Sequence, residues 1–62
     1  MPAPKTQTLQ RQEQIIQAAL DQINDSGVTG LSIAGIAQRV GIVPSAIYRH
    51  FNSKDAVIDA VL

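Results

Sequence analysis

Apolar residues recur at helical spacing in the first half of the chain and predict an amphipathic helix over residues 9–25. The core-facing stripe predicted from the i, i+3, i+4, i+7 pattern is Ile16, Ala19, Leu20 and Ile23, widened by Ile15 and Ala18. Gly27 suits the left-handed position that ends such a helix. Residues 1–8 carry two prolines and no periodic pattern, which predicts a flexible N-terminal arm.

A shorter amphipathic pattern follows a linker at residues 26–32, in which Val28 and Leu31 are predicted core residues. Ser32 is a favourable N-cap for a second helix over residues 33–40, because its hydroxyl can accept a free backbone N–H. Gly41 ends that helix and opens a tight turn over residues 41–43.

Pro44 predicts the start of a third helix that continues to about Phe51, because proline is favoured at the first helical position. Asn52 or Ser53 then caps a fourth helix, and Asn52 with Asp55 resembles a capping box. The apolar positions of this fourth helix are Val57, Ile58, Val61 and Leu62. Because the chain ends on these residues without a helix cap, we expect it to be a piece of a longer protein.

Two short helices joined by a three-residue turn that contains glycine are typical of a helix-turn-helix, here at residues 33–50. The predicted class is all-α: a small three-helix, homeodomain-like domain at residues 9–53 and, at 54–62, the start of a fourth, linking helix. In such a pair the second helix can enter the major groove of DNA.

The charge distribution leaves room for nucleic-acid binding although the formal net charge is zero, where a DNA-binding domain usually carries a basic balance. The acids Glu13, Asp21 and Asp25 lie in the first half, whereas Arg39, Arg49, His50 and Lys54 lie in the second, where Asp55 and Asp59 follow Lys54. A local basic edge on a neutral domain is therefore expected.

Other function classes find little support in the 62 residues. The chain has no cysteine and one histidine, so neither a disulfide nor a conventional structural zinc site is expected. No apolar run approaches the ~20 residues that span a bilayer, and the polar start does not match a signal peptide. No nucleophile–base pair or phosphate-binding glycine loop can be assembled. We expect a cytoplasmic protein without cofactor, metal, membrane association or enzymatic activity.

One segment closely resembles the N-terminal domain of TetR-family (TetR/AcrR-type) regulators. It runs from Ser32 through Ile36-Ala37 and Gly41 to Ile47-Tyr48-x-His50-Phe51-x-Ser53-Lys54-Asp55, and the resemblance covers residues 11–62. The spacing of the Tyr-x-His-Phe group to Ser-Lys-Asp is its most specific part.

The resemblance implies which residues meet DNA. The positions of Tyr48 and His50 contact phosphates in that family, and Tyr48 sometimes meets a thymine methyl. Lys54 meets the backbone with its charge at the start of helix 4, and Ser32 offers its hydroxyl or backbone N–H to phosphate. The positions that face base edges are Pro44, Ser45, Ala46 and Arg49.

The chain departs from the family where Val43 replaces a frequent serine, which removes the predicted N-cap of helix 3. Pro44 and Ala46 have no hydrogen-bonding side chain, so base recognition would depend on Arg49, Ser45 and apolar contacts to thymine methyls. The resemblance also implies a C-terminal domain that dimerises and binds a small-molecule effector, so that a homodimer represses from a palindromic double-stranded DNA operator.

Two other interpretations stay open at this point. The chain could be a protein-interaction module that offers the apolar face of helix 4 to a partner. Arg11 and Lys5 could contact the DNA backbone or simply keep the chain soluble, and solubility is the favoured interpretation.

Overall fold

The computed structural model describes residues 4–62, with side chains from residue 7 onward, and all regular secondary structure in this part of the chain is helical. Four α-helices are separated by short connections, one of which holds a 3-10 turn at Val28–Gly30. The helices are α1 (Pro4–Ser26), α2 (Ile33–Val40), α3 (Pro44–Ile47) and α4 (Lys54–Val61). The predicted all-α class is therefore confirmed.

Helix α1 begins at Pro4, so residues 4–8 are helical and the predicted arm over that range is wrong. Proline is tolerated in the first helical turn, and no glycine or second proline follows it to break the pattern. Residues 1–3, the rest of the predicted arm, lie outside the described residues.

The buried face of α1 is rotated by one residue from the predicted stripe. Its members are Ile15, Ala18, Ala19 and Gln22, whereas Leu20 is 36% exposed. The polar Gln22 obscures this face in the sequence, because a buried glutamine is unfavourable unless its amide is hydrogen-bonded. Here the Gln22 side-chain oxygen accepts the backbone N–H of Ser32 at 2.9 Å.

The core is built around one fully buried aliphatic side chain from each helix, namely Ile15, Ile36, Ile47 and Val57. Burying such a side chain contributes about 1.5–3 kcal/mol. Partly buried hydrophobic residues surround this centre, among them Val40 and Phe51. Helix α1 packs against α2 and α4, while α2 also packs against α3, so the helix-turn-helix rests on α1.

The linker before α2 contributes only one of its two predicted core residues. Leu31 is 3% exposed, but Val28 is 50% exposed, so its prediction as a core residue is wrong. The reason is the 3-10 turn at residues 28–30, none of whose side chains is buried.

Helix α2 has the predicted bounds and both predicted caps. The Ser32 hydroxyl accepts the backbone N–H of Gly35 at 3.0 Å. At the other end Gly41 is left-handed, with φ of 88°. Its N–H and that of Ile42 donate to the Ala37 carbonyl at 2.8 and 2.9 Å, which closes the turn.

Helix α3 is shorter than predicted and ends at Ile47 rather than near Phe51. Residues 48–50 form a turn, in which the N–H groups of His50 and Phe51 both donate to the Ile47 carbonyl at 2.9 Å. The prediction of a continuous recognition helix over residues 44–50 is thus wrong in its second half. The Ile47 carbonyl thus accepts one i+3 and one i+4 hydrogen bond, a pattern that is common where a helix ends.

Helix α4 is capped by Ser53, whose hydroxyl accepts the Ala56 N–H at 3.3 Å. The predicted Asn52–Asp55 capping box is wrong, because the cap lies one residue later and alanine occupies the reciprocal position. Most of its apolar face is used within the fold: Val57 is fully buried and Val61 packs on the core, whereas Leu62 is 95% exposed.

Candidate nucleic-acid interface

The segment from Val43 to His50 presents most of its side chains to solvent while Ile47 anchors it in the core. Pro44, Ser45 and Arg49 are exposed, Tyr48 is 50% exposed, and Ala46 and His50 are half-buried. Val43 is 63% exposed and makes no side-chain cap bond, as the sequence predicted. This segment therefore combines apolar surface, one hydroxyl, one phenol and one guanidinium over a few residues.

Ser32 lies at the start of α2, where its backbone N–H is already hydrogen-bonded but its hydroxyl hydrogen is not. Its backbone N–H donates to Gln22, so the expectation that this N–H is available to a phosphate is not met. Its hydroxyl oxygen accepts from Gly35, which leaves the hydroxyl hydrogen as the available donor.

Gln22 is the positioning residue that the sequence analysis missed. It is 9% exposed and connects α1 to the N-terminus of α2 through the Ser32 N–H. The available signal was its place at i+7 from Ile15 on the face shared with Ala18 and Ala19.

The basic residues of the second half are not equivalent. Arg39 forms an ion pair with Asp25 at 2.5 Å, so its charge is balanced locally. Arg49 and Lys54 are exposed and have no acidic partner among the described residues. Lys54 is the first residue of α4, next to the backbone N–H groups of that helix end. Free positive charges therefore lie in the turn after α3, at Arg49, and at the start of α4, at Lys54.

His50 lies at the boundary between the helix-turn-helix and α1. It lines an open groove together with residues from the N-terminal half of α1, including Gln7, Arg11 and Gln14. The side chain of Lys5, the other basic residue of that region, lies outside the described residues.

Neither a metal site nor a membrane span is found in the part of the chain that the structure describes. No three of its His, Asp and Glu side chains come close enough together to hold a metal ion. None of its helices combines the length and the apolarity that crossing a bilayer requires.

Comparison with known protein families matches residues 15–61 to the family described as "Bacterial regulatory proteins, tetR family". The chain belongs to the tetR family. Its two short helices around Gly41 are the family's helix-turn-helix, and the fold and family predicted from the sequence are confirmed. The family description names its members as bacterial regulatory proteins, and the match includes both helices of the helix-turn-helix.

Relatives match this domain rather than a whole protein. Tetracycline repressor protein class A from transposon 1721 of Escherichia coli is 45% identical over 47 residues, which are 76% of this chain and 22% of that protein. Tetracycline repressor protein class C of Escherichia coli is 43% identical over 53 residues, 86% of this chain and 24% of that protein. HTH-type transcriptional regulator BetI 1 of Chromohalobacter salexigens is 36% identical over 52 residues, which are 84% of this chain and 26% of that protein.

The chain therefore spans about a quarter of the length of these relatives. Comparison with solved structures finds no match.

Proposed function

We propose that this domain binds operator DNA as the head of a ligand-responsive transcriptional repressor. The observation that carries the proposal is the exposed segment after Gly41, where Tyr48 and Arg49 face solvent and Ile47 holds the backbone to the core. An exposed, rigidly anchored second helix is the element that enters the major groove in helix-turn-helix proteins.

Phosphate contacts fix the register of the domain on the duplex. We assign them to Tyr48, His50 and Lys54, with the Ser32 hydroxyl as a further donor. Free charge on Lys54 and an exposed phenol on Tyr48 support this assignment, as does the placement of Lys54 at the start of α4. The helix N-terminus adds partial positive charge to the same place.

Base recognition is assigned to exposed residues of α3 and of the turn that follows it. Arg49 suits the paired acceptors of guanine, and the Ser45 hydroxyl suits either a donor or an acceptor. Pro44 and Ala46 offer apolar surface that suits the methyl group of thymine. With the regular helix ending at Ile47, Arg49 approaches the groove from a turn rather than from a helical face.

The remaining parts of the proposal concern the length of the relatives that this chain does not cover. We propose a C-terminal domain that forms a homodimer and binds a small-molecule effector, and a palindromic operator whose half-sites match the recognition segment, residues 43–50, of each subunit. The printed names of two relatives as repressor proteins support repression, and the proposed site of action is the cytoplasm. No catalytic step is part of this proposal.

The structure reduces the support for the alternative, a protein-interaction module using the apolar face of α4. Of the four residues proposed for that face, Val57 is fully buried and Ile58 and Val61 pack against the core. Only Leu62 remains fully available to a partner.

The test is an amide NMR titration of this chain with a mixed-sequence duplex at low salt, repeated at high salt. We expect shifts at Ser32, residues 44–50 and Lys54 that vanish at high salt, because phosphate contacts release counterions. A folded chain without shifts at low salt would overturn the proposal. Shifts confined to α4 that persist at high salt would favour the interaction module.

A further inference from the structure

We propose that Arg11, with the glutamines beside it on α1, binds a second phosphate in the groove that separates this face of α1 from His50. The groove is open and is lined by Gln7, Thr8, Gln10, Arg11, Gln14 and His50. The inference rests on the proposed function, because its ligand is a phosphate of the same duplex, beside the one that meets His50.

The α1 side of the groove is one helical face. Gln7, Gln10, Arg11 and Gln14 follow the i, i+3, i+4, i+7 spacing, so their side chains share one side of the helix. Each glutamine amide carries two N–H donors, and the Arg11 guanidinium can donate two parallel hydrogen bonds to phosphate oxygens. The groove is therefore rich in donors suited to an anion.

The charge of this groove is not neutralised. No acidic side chain lines it in the described part of the chain, and Arg11 has no ion-pair partner there. Glu13, the nearest acid in sequence, lies about 200° around the helix from Arg11. Arg11 and His50 are both half-buried, so their positions are partly restrained by their neighbours.

A second groove on α1 provides an internal comparison. It is lined by residues that include Asp21, Val40 and Arg39, and the Arg39 guanidinium pairs with Asp25. That groove carries balanced charge, whereas the groove at His50 carries unbalanced positive charge and adjoins the recognition segment. The difference favours a ligand role for Arg11 over the solubilising role expected from the sequence.

The experiment compares Arg11→Gln with Arg39→Gln, using binding of a fluorescent mixed-sequence duplex at several salt concentrations. Both variants lose one positive charge, so long-range attraction to DNA falls equally. We expect Arg11→Gln to weaken low-salt binding about two- to tenfold and to lower the slope of log affinity against log salt by about 0.9. Arg39→Gln should leave this slope unchanged, and Arg11→Lys should retain it.

Equal slopes for the two glutamine variants would overturn the site and leave the proposed function intact. Absence of salt-dependent binding by the unsubstituted chain would instead remove the proposed function itself. The unsubstituted chain gives a second measurement, which no folding defect can affect. The Arg11 side-chain Nε–H signal should shift on addition of the duplex while that of Arg39 does not, and an unmoved Arg11 signal contradicts the proposal.

Discussion

At the scale of single residues, the proposed phosphate contacts differ in charge and should separate by their salt dependence. We predict that Lys54→Ala weakens binding about equally for all sequences and lowers the salt slope by about 1. Tyr48→Phe, which removes only a neutral hydroxyl from a half-exposed ring, should weaken binding uniformly without changing the slope. Anisotropy titrations with two unrelated duplexes measure both quantities. Unchanged affinity in both variants would remove the phosphate assignments.

Arg49 should behave differently, because base contacts discriminate between sequences whereas phosphate contacts do not. We predict that Arg49→Ala changes the preference at one base pair by roughly 1–3 kcal/mol. The measurement is selection from a randomised duplex library, with Lys54→Ala as the control that retains its preference. A uniform loss of affinity in Arg49→Ala would make this residue a backbone contact.

Gly35 is required by a close approach rather than by its backbone conformation. A Cβ at this position would collide with the Gln22 side-chain amide and crowd the Ser32 hydroxyl. In an open helix, glycine to alanine stabilises by roughly 1 kcal/mol, but here Gln22 must move and lose its bond to Ser32. We predict that Gly35→Ala lowers stability in urea unfolding by about 1 kcal/mol.

A double-mutant cycle tests the reason for this loss. In a Gln22→Ala background the colliding amide is gone, so Gly35→Ala should be less costly by at least about 0.5 kcal/mol. An equal cost in both backgrounds would mean that Gln22 does not set the limit at this position.

At the scale of elements, the start of α3 is less well capped than the starts of α2 and α4. Its N-cap Val43 makes no side-chain hydrogen bond, whereas Ser32 and Ser53 cap α2 and α4. We predict that Val43→Ser stabilises the fold by about 1 kcal/mol, because the side chain is 63% exposed and little apolar burial is lost. Urea unfolding measures the change, and Val43→Ala is the control without a cap. Equal stability of the serine and alanine variants would contradict the prediction.

At the scale of the whole molecule, a small core makes stability sensitive to ligand binding. A chain of 62 residues buries only about 60% of its unfolded surface, so a small binding energy shifts its melting temperature measurably. We predict that duplex DNA at ten times its Kd stabilises the fold by about 1.4 kcal/mol, which corresponds to roughly 5–10 °C. Thermal melts at low and at high salt, both at the DNA concentration that is ten times the low-salt Kd, test this. An equal shift at both salt concentrations would contradict an electrostatic interface.

The neutral net charge of the molecule hides an uneven distribution. The Arg39–Asp25 pair is exposed on both sides, at 39% and 62%, and such pairs contribute about 0–1 kcal/mol. Its main consequence is that the charge of Arg39 is balanced locally. Arg11, Arg49 and Lys54 have no acidic partner among the described residues. The unpaired positive charges of this neutral domain therefore lie in the groove at His50, in the recognition segment and at the start of α4.

The sequence by itself determined that four helices form, the bounds of α2 and the turn at Gly41, because caps and turns depend on local chemistry. Ser32 and Gly41 bound α2 wherever the rest of the chain lies, since a cap hydroxyl and a left-handed glycine act on neighbouring backbone groups. The spacing from Tyr48 to Lys54 resembles the family's signature, and the family match over residues 15–61 confirms that resemblance.

Only the tertiary structure decided which faces are buried and which charges are free. The buried face of α1 includes Gln22, whose side-chain oxygen accepts the backbone N–H of Ser32, ten residues away. The neutralisation of Arg39 depends on Asp25, fourteen residues away, and the groove of Arg11 depends on His50. The hydrophobic periodicity of one helix cannot predict these contacts, because each depends on the position of a segment distant in sequence.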